Sequence, residues 1–395
     1  MDLKSLVIYL ITFSIAIFFT KLTEMQIALI DSKNHINRNK AAIRITVIIF
    51  SIIAVFTPCI LAALRDVTVG TDISGYILPN FSVAKFTGDS FFEFYKNMPN
   101  QTEIFFAFLI YICGKYFNLP ILFFLIEFLV FLPTYLAAFN FRNEISISSS
   151  VTIYLFLFYN FSLSGMRQSI AMAFLLLAFS YYYKKSNTKA IVFTAVAFLF
   201  HSSVIIVVAI ILIVYFIESS KYRKQLYACL AAALVALFFF YRNIALIAYE
   251  IVSFVNPRYG YYIMRYLNNG FKWEDVIASE LLFKTLIFCI ALFSIMFFYK
   301  NKKGSIPIVP IAVICLFGRY FTVFNANMYE SLRLAYYFDY LLILLVPMVK
   351  RKCYSKNFDS QIVINGLITM PVFLYWLYFI MYIGAYGTNN FIFSS

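Results

Sequence analysis

The chain has 395 residues, of which 63% are hydrophobic and 13% charged, and its mean hydropathy is +0.84. Soluble domains carry about 45–50% apolar and about 25% charged residues, so an ordinary water-soluble fold is excluded, and 12 Gly with 10 Pro are too few for a disordered chain. The net charge of +14 lies mostly in short loops between apolar runs, which marks membrane orientation rather than nucleic-acid binding.

A spanning helix needs about 20 mostly apolar residues. The run Leu6–Phe19 has no small-residue cleavage site and reads as the first span, 3–20, not as a cleaved leader. The basic loop from Lys21 to Arg44 follows, then a span over 43–64 closed by Arg65 and Asp66. The region 65–118 carries Asp72, Tyr76 and Glu103, and its apolar part, 103–117, is too short to cross. Spans are expected over 119–139, 148–164 and 166–183, with Gly165, Arg167 and Gln168 at the turn between the last two. After Lys184, Lys185 and Lys189, the stretch 187–217 is too long for one span and is split near His201. Beyond Lys221, Arg223 and Lys224 come 226–248, a polar segment 249–278, and 279–299. Lys300, Lys302 and Lys303 precede 305–325, which contains Arg319; Glu330 and Arg333 open 332–349; Lys350, Arg351, Lys352 and Lys356 precede 361–383.

The positive-inside rule places all five basic loops in the cytoplasm. Their parity requires an even number of crossings between the first two loops, so 103–117 is assigned as a re-entrant or interfacial helix. The expected fold is all-α: a single integral membrane domain over 1–395, with about 12 spanning helices and both termini outside. The segments 65–118 and 249–278 cap the outer face. The six cysteines form no CxxC pair and five lie in apolar runs, which is the pattern of packed small hydrophobes.

On that topology Arg65, Asp72, Glu103, Arg167, His201 and Arg333 share the outer face. Charges buried in a membrane are costly and tend to mark substrate or ion paths. Converging arginines suit a phosphate or diphosphate, because the guanidinium fork pairs two oxygens and keeps its charge. A helix starting at Met166–Arg167 would add free backbone N–H groups. His201 reads either as a hydrogen-bonded turn residue or as a substrate contact. No P-loop, HExxH or GxSxG is present, and with two His a zinc site is not expected.

Four elements carry a resemblance. They are Arg65 followed by Val69-Gly70-Thr71-Asp72 and Tyr76; Leu163-Ser164-Gly165-Met166-Arg167-Gln168-Ser169-Ile170-Ala171; Phe200-His201-Ser202-Ser203; and Arg333-Leu334-Ala335-Tyr336-Tyr337-Phe338. Together they resemble the EpsG/Wzy-type polysaccharide polymerases of bacterial membranes. That family often has Glu-Pro before the short apolar segment, whereas here Ile104 follows Glu103. The resemblance implies a helical bundle similar to GT-C-like lipid-dependent glycosyltransferases in the bacterial cytoplasmic membrane. It implies transfer of a growing glycan from undecaprenyl diphosphate to a new lipid-linked repeat unit, with no cofactor or metal. A chain-length regulator and a flippase are the expected partners, and no nucleic acid. Arg65, Tyr76, Arg167, Gln168, Arg333 and Tyr337 would bind substrate. Asp72, Glu103 and His201 are the candidate bases, and the sequence does not choose among them.

Two other classes fit part of the pattern. A lipid-linked oligosaccharide flippase or other transporter would carry charges deep within its helices. Another membrane glycosyl- or acyltransferase would use a lipid-phosphate sugar or move an acyl group; the lipid-phosphate-sugar type commonly shows paired acids in the first external loop, which Asp66 and Asp72 do not make.

Overall fold

In an apolar medium each backbone N–H and C=O must be satisfied within the protein, and a helix does this within one segment. The computed structural model describes residues 2–31, 40–86, 90–240, 281–298, 308–323, 329–352 and 369–394, with Gly366 and isolated positions between 243 and 268. Among these the regular structure is helical, and the one bridge is antiparallel, between Arg65 and Phe393. The segment 249–278 and the loop Lys300–Lys303 fall largely or wholly outside the described residues.

The chain divides into two compact units. One comprises Met1–Val204, Ile287–Ile306 and Tyr340–Ser395, the other Ile205–Leu286 and Pro307–Asp339. The first begins with α1 (Leu3–Asp31) and α2 (Lys40–Ala63), followed by a π-helical turn, Ile73–Ile77. Then come α3 (Leu78–Phe86), α4 (Phe91–Asn97), α5 (Ile104–Tyr116), α6 (Leu119–Asn140), α7 (Ile147–Leu157), α8 (Tyr159–Ser162), α9 (Met166–Tyr183) and α10 (Asn187–Phe200). α6 packs on both α2 and α9.

α1, α2 and α6 are long and apolar enough to cross a membrane, and shorter apolar helices accompany them. On α2 the residues Ile45, Ile48, Ile49, Ile52, Phe56 and Ile60 are exposed, while Ala54, Val55, Cys59 and Ala62 are buried. Steps of three and four keep the exposed set on one face. Such a stripe is unusual on a water-soluble protein and suits a lipid-facing helix.

Side-chain contacts define two ends of this unit. At one end Glu24 of α1 accepts hydrogen bonds from Ser146 and Ser148, and Lys184 after α9 donates to Asn140 at the end of α6 at 2.8 Å. The basic residues Lys21, Arg142 and Lys184 belong to this end. At the other end the C-terminal tail runs beside the chain after α2. Asp66 N donates to Ile392 O at 2.8 Å and Gly70 N to Gly387 O at 3.1 Å, while Tyr9 of α1 donates to Thr388 O.

α5, with 13 residues, is about 20 Å long, short of the about 30 Å hydrocarbon core. The split near His201 is also present: α10 stops at Phe200 and α11 (Val204–Ser219) begins four residues later. Two expected spans are corrected. The run 148–164 is broken at Phe158 into α7 and α8, where Tyr159 donates to Pro58 O and anchors the second piece on α2. The run 332–349 is broken after Asp339 into α15 (Tyr329–Asp339) and α16 (Leu342–Lys352). α1 also continues to Asp31, well beyond the expected 3–20.

The second unit contains α11 from Ile205, α12 (Arg223–Phe239), the start of α13 (Leu281–Phe298), α14 (Ile308–Val323) and α15. Its core holds charge. Arg319 on α14 pairs with Asp339, Lys284 lies 4.0 Å from the same carboxylate, and its ammonium sits 4.2 Å from the Tyr336 ring centroid. Phe321 and Phe338 stack at 5.6 Å beside this group. α17 (Thr369–Tyr382), in the first unit, ends in a π-helical stretch before the tail.

Candidate functional site

The site is built on the turn between α8 and α9. Leu163 O accepts from Arg65 Nη1 at 2.6 Å, and the Arg65 guanidinium lies 4.2 Å from the Phe123 ring centroid. Gly70 sits against the same carbonyl with φ +114, where a Cβ would come within 2.6 Å of Leu163 O. Both the backbone conformation and the space require glycine there. Thr71 and Ser164 share a hydroxyl hydrogen bond of 2.5 Å. Gly165 lies so close to Phe161 that a Cβ would meet the ring at 2.5 Å. The segment Val69-Gly70-Thr71 and the turn are therefore fitted together, and α9 starts from that base.

Arg167, in the first turn of α9, reaches across to the start of α5. Its Nη1 donates to Glu103 Oε2 at 2.7 Å and to Thr102 Oγ1 at 3.1 Å. Its guanidinium lies 4.5 Å from the Tyr76 ring centroid, a cation–π contact. Glu103 Oε1 accepts from Ser202 N at 3.4 Å, next to His201, and His201 Nδ1 is 2.5 Å from Ser203 Oγ. Phe200 brings the end of α10 here by packing on Phe105 of α5 and Phe174 of α9. Tyr76, Glu103, Arg167 and His201 thus meet in one cluster, at the end opposite Lys184.

The cluster is open. Arg167 keeps 25% and Glu103 20% of side-chain surface exposed. Burial pushes the Glu103 carboxyl up, but the charges of Arg167 and His201 outweigh it and hold the group below the usual carboxylate range. Burial raises the Tyr76 phenol. The geometry of Glu103 is that of a residue fixing the guanidinium. Arg167 presents donors that an anionic ligand can share.

The other expected residues lie elsewhere. Asp72 flanks the π-helical turn and accepts from Thr71 at 3.4 Å, close enough that its charge acts on Tyr76. Arg65 is 2% exposed and braces the turn from beneath; one edge also borders a cavity of about 300 Å³ with Lys85, Phe117 and Asn118. Gln168 turns into the bundle and is buried. Arg333 and Tyr337 are on α15 of the second unit, four residues apart and so on one helical face; Tyr337 is buried. Among the described residues no group of three or more His, Cys, Asp or Glu is placed to hold a metal.

The sequence reading passed over Glu127 and Lys284. Each is a lone charge within an apolar helix, and that isolation was the available signal.

The EpsG family model matches residues 48–394. No curated protein and no solved structure matches the chain. The match spans the π-turn, the α8–α9 turn, His201 and α15 alike, and on it the chain belongs to the EpsG family.

Proposed function

We propose that this protein is a metal-independent membrane glycosyltransferase that polymerises lipid-linked oligosaccharide repeat units at the outer face of the bacterial cytoplasmic membrane. The donor is a glycan on undecaprenyl diphosphate. The bond between its anomeric carbon and the phosphate oxygen breaks, and the lipid diphosphate leaves. A hydroxyl of the incoming lipid-linked unit forms the new glycosidic bond and gives up its proton.

The observation that carries this reading is Arg167: an accessible guanidinium at a helix N-terminus, pre-set by Glu103 and Tyr76 and close to His201, in a chain of the EpsG family. Negative charge grows on the bridging oxygen as the donor bond breaks, and a fixed cation there lowers the barrier. Glu103 orients Arg167. His201 is the favoured proton acceptor, since imidazole titrates near neutral pH, and Asp72 supports the cluster from the neighbouring loop. Arg65 and Gln168 shape the turn beneath the substrate. A chain-length regulator and a flippase act beside the enzyme.

One observation favours a second reading, a transporter of lipid-linked oligosaccharide. Lys284, Arg319 and Asp339 are charges buried within helices, as a transport path would need. Reconstitution separates the two. Purified protein in liposomes, given a lipid-diphosphate repeat unit, should yield a ladder of polymer lengths. Movement of the unit across the bilayer with no ladder would replace polymerisation with transport.

A further inference from the structure

Glu127 lies in the middle of α6, a helix of 22 residues with no other charge, and is 1% exposed. A carboxylate there carries a large desolvation cost unless its oxygens are satisfied. Both are. Tyr154 Oη donates to Oε1 at 2.5 Å and Ser162 Oγ donates to Oε2 at 2.6 Å. Tyr154 is on α7, before the helix break, and Ser162 is the last residue of α8, after it. One carboxylate therefore ties both sides of the break to α6. The residue after Ser162 is Leu163, whose carbonyl is held by Arg65. Arg65 and Glu127 also act on one another electrostatically. The turn is gripped at adjacent residues by the Glu127 carboxyl group on one helix and the Arg65 guanidinium at the end of another. Arg167 follows four residues after Leu163.

We propose that Glu127 is a positioning residue for Arg167: through Ser162 and Tyr154, and together with Arg65, it fixes the α8–α9 turn and so aims the first turn of α9 at the ligand. The proposal rests on the polymerase reading for its activity consequence, but the clamp itself is a statement about the turn. Neither Glu127 nor Ser162 touches the Arg167 cluster in this structure, so their effect is indirect. Glu127→Gln keeps the shape of the side chain but removes the charged acceptor; its amide nitrogen can only donate, so the hydroxyl on that side must turn from donor to acceptor and the charge-assisted bond is lost.

The test uses the full-length protein in liposomes, with polymer formation normalised to folded protein, and hydrogen exchange of peptides covering 158–170. Glu127→Gln should slow polymerisation by about 10- to 100-fold, the weight of one charge-assisted hydrogen bond, and speed exchange at 162–167 while the rest of α6 and α9 stays protected. In an Arg167→Lys background the same change should cost less than about threefold, because residues acting as one unit are not additive. Ser162→Ala removes only the donor; it should reproduce the exchange change, and it decides the matter should the Gln variant not fold. Unchanged exchange at 162–167 in a folded variant, or an equal loss in both Arg167 backgrounds, would overturn the proposal. If the wild type forms no polymer while the exchange change appears, the polymerase reading fails and the clamp stands.

Discussion

Two arginine–carboxylate pairs in this chain use the same groups in opposite surroundings. Arg167 and Glu103 keep 25% and 20% of their side-chain surface exposed; Arg319 and Asp339 keep 8% and 3%. An exposed pair is worth little to stability and can exchange one partner for a ligand at small cost. A sealed pair contributes by never being broken, since removing one member strands a buried charge. The first arrangement suits a binding site and the second a structural lock. Arginine content alone does not mark function; its access does.

The contrast is sharpest in its largest expected effect. Asp339→Asn should destabilise the protein by about 3–5 kcal/mol, the usual cost of breaking one side of a buried pair. Thermal unfolding in detergent checks this, and an unchanged Tm would mean that the second unit is not locked by this pair. His201→Gln and His201→Ala should each lower polymer formation by about 100-fold or more, as loss of a general base does, with no change in melting. A full-length ladder from the Gln variant would remove His201 as the base and leave Asp72.

A smaller effect belongs to Glu103. Its folded-state pKa is depressed below the ordinary 4.5, so its pairing with Arg167 is fully present above that value and is lost as pH falls through the folded pKa. Glu103→Gln should cost about 10-fold in rate, the loss of one charged hydrogen bond. It should also abolish the part of the acid decline in activity that lies below pH 4.5. A pH–rate profile identical to the wild type's would show that Glu103 does not orient Arg167. The smallest effect tests topology. A cysteine near Lys184 should resist an impermeant thiol reagent in intact cells, and one at Ser202 should react; the reverse pattern would invert the two ends.

What could be read from the sequence follows physical locality. The break at His201 was legible because polar residues interrupt an overlong apolar run, and the shortness of α5 because length is explicit. Loop charges and parity put Arg167, Glu103 and His201 on one face, but not their contact, which depends on how α5, α9 and α10 pack. The breaks at Phe158 and after Asp339 carry no Pro or Gly. They arise from distant partners, Pro58 for Tyr159 and Arg319 for Asp339, which no local pattern encodes. The same holds for the C-terminal tail beside Asp66 and Gly70. Arg65 was legible as important but not in its place: it grips the turn from within and does not face the open cluster.

The central claim is that the guanidinium of Arg167 stabilises a departing lipid diphosphate. The direct measurement compares wild type with Arg167→Lys in liposomes, recording the rate of a single glycan transfer and the melting temperature of both. Lysine keeps the charge and loses the two-pronged geometry, so the rate should fall by about 100-fold while the melting temperature holds. Wild-type transfer by the lysine variant at equal protein level would contradict the account and leave Arg167 as a surface cation at the membrane edge.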